Sequence, residues 1–195
     1  MIASPGRAAS NSLKNHIFQS LHKQGIPHEL ENLEMPMLWP ELVDDPENWT
    51  VIISTRKDML AQVISFYLIV HTQLTHITGK NGDKTTNVPV ENFTIPRTCF
   101  FTFSYGILFF HFRVFNYTNW GKFKKVHWLV YEDIVKDWKG TGELLGFNDW
   151  DPKSKSHAKG YGSVWEKVNN KEEVLAWARE LQVSNPFTFD EEKYK

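Results

Sequence analysis

The 195-residue sequence lacks most of the features that would place a protein in a class at once. Its single cysteine, Cys99, cannot form an intrachain disulfide and matches no metal-ligand spacing. The 22 Lys and Arg residues balance 23 Asp and Glu residues, and a formal net charge of −1 gives no general attraction for polyanions. No uninterrupted apolar run reaches the roughly 18 residues of a membrane span, and no secretory signal is recognisable. We therefore expect a soluble, cytoplasmic protein with no nucleic-acid or membrane partner, which binds any anion through a few local residues.

Strand and helix patterns alternate in the N-terminal half. Residues 1–3 predict a very short strand, which a small-residue loop connects to a helical pattern that ends near Gly25. Residues 28–48 contain three prolines and predict an ordered loop without a regular element. The β-branched run at 51–55 predicts a strand that is buried on both faces, and the apolar spacing at 58–76 predicts a helix directly after it.

The C-terminal half continues the alternation. Residues 100–115 fit a buried helix and a strand pair about equally by periodicity, and their length favours a helix whose phenylalanines are mostly core, with some lining a pocket. Residues 126–131 predict a strand followed by a short helix up to Gly146, and 172–181 predict a terminal helix. The chain is therefore expected to form one α/β domain, residues 1–195, with a central parallel sheet flanked by helices.

The loop after the first predicted strand is the first candidate for binding chemistry. A strand that leads through small residues into a helix directs backbone N–H groups and the positive end of the helix dipole at one point, where a phosphate or sulfate can bind. Arg7 adds a positive charge, and Ser10, Asn11 and Ser12 add neutral donors. A simple helix cap without a ligand is the alternative. The Walker A pattern GxxxxGK[ST] is absent, which argues against a nucleotide kinase.

The end of the strand at 51–55 is the second candidate. Arg56 follows the strand directly, where α/β sheets place their ligands, and Ser65 follows nine residues later in the predicted helix. A hydroxyl in that helix could share an anion with the arginine. Lys57 is an alternative to Arg56, and a solvated helix start without a ligand is the alternative to both.

In this order, these segments resemble the sulfotransferase family. PGRAASNS at 5–12 is similar to the family's loop for the 5′-phosphosulfate. TRKDMLAQVIS at 55–65 is similar to its 3′-phosphate motif and is closest in wording to bacterial sulfotransferases that modify trehalose or nodulation factors. LVYEDI at 129–134 is similar to the family's late strand ending in YED, and the family's leucine-glycine-phenylalanine stretch follows it, here LGF at 145–147. KGYGSVW at 159–165 resembles the loop that closes over the nucleotide.

The resemblance implies a P-loop-like sulfotransferase fold and in-line transfer of a sulfuryl group to a hydroxyl or amine. The donor would be 3′-phosphoadenosine 5′-phosphosulfate, the product 3′-phosphoadenosine 5′-phosphate, and the acceptor a glycan or a small molecule; no metal is implied. Arg7 would stabilise the leaving phosphate, and Arg56 with Ser65 would hold the 3′-phosphate. The cofactor-binding residues that the resemblance implies are Pro5, Gly6, Arg7, Ala8, Ala9, Ser10, Asn11, Ser12, Arg56, Ser65, Lys159 and Gly160.

The base that takes the acceptor proton has two candidates. Glu29 lies in a segment similar to the one that carries a glutamate base in bacterial members, and His28 is adjacent. An exposed acidic residue without a catalytic role is the alternative for Glu29.

Three loops would surround these residues. Loops at about 28–48 and 78–98 would face the acceptor, and a loop at about 150–165 would cover the nucleotide. Because Ala9 replaces the usual loop glycine and the base has two candidates, a catalytically weak or inactive nucleotide-binding protein of the same fold is the alternative function.

Overall fold

Four parallel strands and six helices make up the regular structure of the described residues. The computed structural model describes residues 2–4, 10–25, 32–34, 45–72, 91–119, 123–147, 150 and 164–194. The strands are β1 (Ile2–Ser4), β2 (Asn32–Glu34), β3 (Thr50–Thr55) and β4 (Lys125–Val130). The helices are α1 (Ser10–Lys23), α2 (Met59–Thr72), α3 (Arg97–Asn119), α4 (Tyr131–Lys136), α5 (Trp138–Leu144) and α6 (Lys171–Ser184). Short 3₁₀ turns lie at Pro46–Asn48, Val164–Lys167 and Glu191–Tyr194.

The sheet has the strand order β2-β1-β3-β4, and every pairing is parallel. Ile2 and Ala3 of β1 lie opposite Ile52 and Ile53 of β3, whereas β3 and β4 pair over their whole length. The chain leaves β1 towards β2 on one side and then returns past β1 to form β3 on the other. The direction of winding therefore reverses between β1 and β3, which is where open parallel sheets form a crevice at their carboxyl ends. The predicted α/β class with a parallel sheet is confirmed.

Strand β3 is buried from Val51 to Thr55, as its β-branched run predicts. On one face, Val51 and Ile53 pack with Phe110 and Val114 of α3. On the other face, Ile52 packs with Leu13 and Ile17 of α1, Leu129 of β4 and Ile134 of α4. A strand that is covered by helices on both faces needs apolar side chains at successive positions, because neither face is in water.

Contacts within the chain group into two compact units. The first consists of Met1–Lys57 with Phe109–Ser156 and contains the sheet, α1, α4 and α5. The second consists of Asp58–Leu108 with His157–Lys195 and contains α2 and α6. The second unit has its own core, in which buried side chains of α2, α3 and α6 meet the C-terminal Phe187.

The prediction that 28–48 contains no regular element is wrong. Residues 32–34 form β2, which pairs in parallel with β1, and Pro46–Asn48 form a 3₁₀ turn. The Asn-Leu-Glu sequence of β2 has no β-branched or aromatic residue, so its extended conformation depends on hydrogen bonds with β1 rather than on local preference. The structure also divides the predicted helix after β4 into α4 and α5, with Asp137 between them.

Helix α3 confirms the helical prediction for 100–115, and four of its seven phenylalanines are buried or packed against a core while three are exposed. Phe100 and Phe110 are buried, whereas Phe109, Phe112 and Phe115 are 49%, 66% and 59% exposed. A helix with apolar residues on every side can turn only one side towards a core, so these three phenylalanines remain exposed. By length and composition alone, the stretch Arg97–Asn116 would be sufficient to cross a membrane, and 28% of it is buried.

Candidate functional site

The parallel pairing of β1, β3 and β4 places the carboxyl ends of these strands at one edge of the sheet. Ser4 ends β1 and is buried, and α1 begins at Ser10, so the strand and the helix expected on either side of the first candidate loop are confirmed. Ser10, Asn11 and Ser12 form the first turn of α1. Thr55 ends β3, and its Oγ1 donates to the carbonyl oxygen of Leu129 at 3.4 Å, which joins β3 to β4 near this edge.

Many of the predicted site residues lie outside the described residues. They are Pro5, Gly6, Arg7, Ala8 and Ala9 of the first loop, His28 and Glu29 of the candidate base segment, and Lys159 and Gly160 of the covering loop.

Arg56 follows β3 and is held by the residues that follow β4. Its Nε lies 3.6 Å from Oε1 of Glu132, and its Cζ lies 4.6 Å from the centre of the Tyr131 ring. The Arg56 side chain is only 20% exposed, and its Nε is buried without a hydrogen-bond partner. Within the described part of the chain, Nη1 and Nη2 make no hydrogen bond. The guanidinium is thus fixed from one edge and one face while its terminal donors stay available.

Lys57 has different surroundings from Arg56. Its Nζ donates to both carboxylate oxygens of Asp133, at 3.0 and 3.1 Å, and its backbone N–H donates to Oε2 of Glu132 at 3.0 Å. The Lys57 and Asp133 side chains are more than 60% exposed, so the pair contributes little to stability. The pair does, however, occupy the Lys57 ammonium group, which would have to leave Asp133 to bind a ligand. Of the two cations after β3, only Lys57 has its terminal nitrogen hydrogen-bonded to a carboxylate.

Sequence reasoning missed that Tyr131-Glu132-Asp133 would meet Arg56-Lys57. The signal was available, because parallel neighbours in full register bring the residues after one strand beside the residues after the next. Thr55 pairs with Val130, so Arg56 and Tyr131 start side by side. A basic pair after one strand and an acidic pair after its neighbour are complementary. The formal charges of these four residues cancel, and the dianion site that was expected here has no net positive charge from Arg56 and Lys57.

Ser65 lies on α2 in the second unit and is partly buried. The start of α2 is occupied by a carboxylate of the protein itself. Oδ1 of the buried Asp58 accepts a hydrogen bond from the Ala61 N–H at 3.0 Å, as a helix cap does, and another from the Tyr194 hydroxyl at 2.7 Å. An anion that used Ser65 would therefore depend on the Ser65 side chain rather than on the first amides of α2.

Within the described ranges, no group of three or more His, Cys, Asp or Glu side chains is arranged to hold a metal ion. Cys99 is a free thiol and is partly buried.

Comparisons with protein families, curated proteins and solved structures find no match for this chain. Function must therefore be inferred from the residues and their positions.

Proposed function

We propose that the protein is a sulfotransferase that moves a sulfuryl group from 3′-phosphoadenosine 5′-phosphosulfate to a hydroxyl or amine of a glycan or small-molecule acceptor. The observation that carries the proposal is the position of Arg56. It follows β3, the strand on one side of the point where the sheet reverses its winding, and its terminal nitrogens make no hydrogen bond with the described residues. Ligands of open parallel sheets bind outside the carboxyl ends of the strands at this point.

The chain offers residues that suit both ends of such a donor. A planar guanidinium matches the oxygens of a phosphate in a two-point contact, so Arg56 is suited to the 3′-phosphate. Arg7 and the backbone N–H groups of 5–12 would bind the 5′ side. When bound, the nucleotide supplies the activated sulfuryl group. Negative charge develops on the leaving phosphate during transfer, and a fixed cation with several N–H donors stabilises it.

Proton transfer from the acceptor needs a base near the reacting oxygen or nitrogen. Glu29 or the adjacent His28 would take that proton. A carboxylate acts as a base near neutral pH when it is partly removed from water, since desolvation raises its proton affinity. Lys159 and Gly160 would help to exclude water from the bound nucleotide.

A nucleotide-binding protein of the same fold without effective catalysis is the second candidate. The favouring observation is the charge balance after β3, where Glu132 and Asp133 offset Arg56 and Lys57. Such a balance weakens the attraction for a highly charged donor, whereas a site with surplus positive charge would strengthen it. Ala9 in place of a loop glycine favours the same function, because it limits backbone conformations near the transferred group.

Thermal stability in the presence of nucleotides tests both candidates. A ligand that binds only the folded chain stabilises it by about 2.7 kcal/mol at a hundredfold excess over its Kd. We expect 3′-phosphoadenosine 5′-phosphate to raise the Tm and ATP to leave it unchanged. No response at millimolar nucleotide contradicts both candidates.

Transfer of labelled sulfate then separates the enzyme from the binding protein. Wild-type protein is incubated with the labelled donor and a panel of glycans, alcohols and amines, beside the variants Glu29→Gln and Arg7→Ala. A sulfotransferase labels at least one acceptor, and Arg7→Ala abolishes the labelling. Nucleotide binding without transfer to any acceptor supports the inactive protein, and full activity in Arg7→Ala shows that the first loop does not bind the 5′ side.

A further inference from the structure

We propose that Tyr131 is a positioning residue for Arg56, holding the guanidinium so that its two terminal nitrogens can bind a phosphate in a two-point contact. Tyr131 is the first residue of α4, immediately after β4, and no role was expected for it beyond its place in the YED segment. That the phosphate is the 3′-phosphate of the donor nucleotide rests on the proposed function.

The first step is the contact between the two side chains. The Arg56 Cζ lies 4.6 Å from the centre of the Tyr131 ring, within the distance at which a cation is attracted to a ring face. An unrestrained arginine has many rotamers and loses this freedom when it binds an anion. A ring against one face of the guanidinium removes part of that freedom in advance, and the anion then binds an arginine that is already ordered.

The second step is that the remaining contacts restrain Arg56 without using its terminal donors. Glu132 approaches at Nε, and its separation of 3.6 Å is longer than a hydrogen bond. Oε2 of the same carboxylate accepts from the Lys57 N–H, which fixes the backbone directly after Arg56. The ring covers one face, the carboxylate restrains one edge, and Nη1 and Nη2 have no hydrogen-bond partner among the described residues.

The third step is the comparison with Lys57. Its ammonium group donates to both oxygens of Asp133 and would have to leave them to bind a ligand. Arg56 needs no such rearrangement. The arrangement therefore favours Arg56 as the phosphate ligand and gives Tyr131 the role of keeping it ready.

Calorimetric binding of two nucleotides to the full-length protein tests the proposal. The probes are 3′-phosphoadenosine 5′-phosphate and adenosine 5′-phosphate, which differ in the 3′-phosphate alone. We expect Tyr131→Leu to weaken binding of the first roughly fivefold, the loss of about 1 kcal/mol of cation–ring attraction, and to leave the second unchanged. Tyr131→Phe keeps the ring and should bind both as the wild type does. Tyr105→Leu is the matched control, because it makes the same exchange at an exposed ring of α3 that does not contact Arg56.

A double-variant cycle and a measurement on the free protein complete the test. In an Arg56→Ala background, Tyr131→Leu should have no further effect on either nucleotide. In the free protein, the ring current of Tyr131 should displace the Arg56 side-chain NMR signals in the wild type and in Tyr131→Phe but not in Tyr131→Leu.

The outcomes separate the two proposals. If the wild type binds neither nucleotide, the proposed function fails and the donor phosphate is not the anion. If the wild type binds the 3′-phosphorylated nucleotide, three results overturn the positioning role alone. Tyr131→Leu leaves that affinity unchanged, it weakens binding of both nucleotides equally, or it lowers the affinity further in the Arg56→Ala background. Unshifted Arg56 signals in the wild type also overturn the positioning role.

Discussion

The hydroxyl of Tyr194 donates a hydrogen bond to Oδ1 of Asp58, although 136 positions separate the two residues in the chain. Asp58 is buried, and the same oxygen caps the first turn of α2 by accepting from Ala61. The C-terminal segment makes a second contact with this turn, since the Met59 N–H donates to the carbonyl oxygen of Thr188 at 2.8 Å. Thr188 and Tyr194 thus hold the first turn of α2 in place.

Replacement of Tyr194 by Phe should therefore lower the free energy of unfolding. The change removes the donor to a buried carboxylate oxygen and leaves the ring packing in place, which costs about 1–3 kcal/mol. Urea unfolding, followed by fluorescence, measures the difference. Tyr105→Phe is the matched control, because Tyr105 is 52% exposed, and it should change stability by a few tenths of a kcal/mol at about the level of other surface changes. Equal stabilities of the two variants would contradict a stabilising role for the Tyr194 hydroxyl.

Substitution by alanine should have opposite effects on stability at two helical glycines. A Cβ on Gly142 of α5 would collide with Cβ and Cγ of the buried Trp150, which lie close to the Trp150 backbone and cannot move aside as the far end of a flexible side chain can. Gly142→Ala should destabilise the protein by about 1–3 kcal/mol through overpacking. A Cβ on Gly106 of α3 would have nothing within 4 Å, so Gly106→Ala should stabilise the protein by about 0.5–1 kcal/mol, because glycine is a poor helix former. Thermal unfolding of both variants measures the signs, and equal signs would contradict the packing of Trp150 on Gly142.

The sequence predicted the elements whose signal is local. Four of the five buried residues of β3 are β-branched, and α3 is longer than a strand, so the sequence predicts both elements. The three residues of β2 carry no such signal, because their conformation depends on pairing with β1. The sequence also could not predict which side chains of α3 are exposed, since periodicity does not show which side of a helix faces the core when apolar residues lie on every side.

The candidate site was predictable in part for a related physical reason. That a basic residue would end β3 follows from the chain alone, and Arg56 does lie there. Its surroundings depend on which strand is the neighbour of β3. Only the β3–β4 pairing brings Tyr131 and Glu132 to Arg56, and strand order is a tertiary property that no single segment encodes.

The partly buried imidazole of His111 should make the free energy of unfolding depend on pH. Burial lowers the pKa of its imidazole below the ordinary value of 6.5, and its Nε2 is buried without a hydrogen-bond partner. Below pH 6.5 the unfolded chain binds a proton that the folded imidazole does not, so the unfolding free energy falls as the pH drops from about 7 towards the lowered folded pKa. The slope for one proton is at most about 1.4 kcal/mol per pH unit. Burial, assisted by Lys125, lowers the pKa of His127 and adds to the same trend.

Removal of the His111 imidazole should flatten this dependence. We expect the decline in unfolding free energy between pH 7 and pH 5 to be shallower in His111→Leu than in the wild type, measured by urea unfolding at a series of pH values. His22→Gln controls for the loss of a histidine at an exposed position. A wild-type slope in His111→Leu would show that His111 does not contribute to the pH dependence.

Arg56 and Lys57 are distinguished by alanine substitution if the proposed nucleotide binds. Arg56→Ala removes two terminal donors that have no hydrogen-bond partner among the described residues. Charge-assisted hydrogen bonds contribute about 1.5–3 kcal/mol, so the affinity for 3′-phosphoadenosine 5′-phosphate should fall more than tenfold. Lys57→Ala removes an ammonium group that Asp133 already engages on an exposed surface, and the affinity should change by no more than about twofold. Arg56→Lys should recover only part of the loss, because an ammonium group lacks the planar pair of donors. Calorimetry on the three variants measures the order, and a larger loss in Lys57→Ala than in Arg56→Ala would assign the phosphate to Lys57 instead.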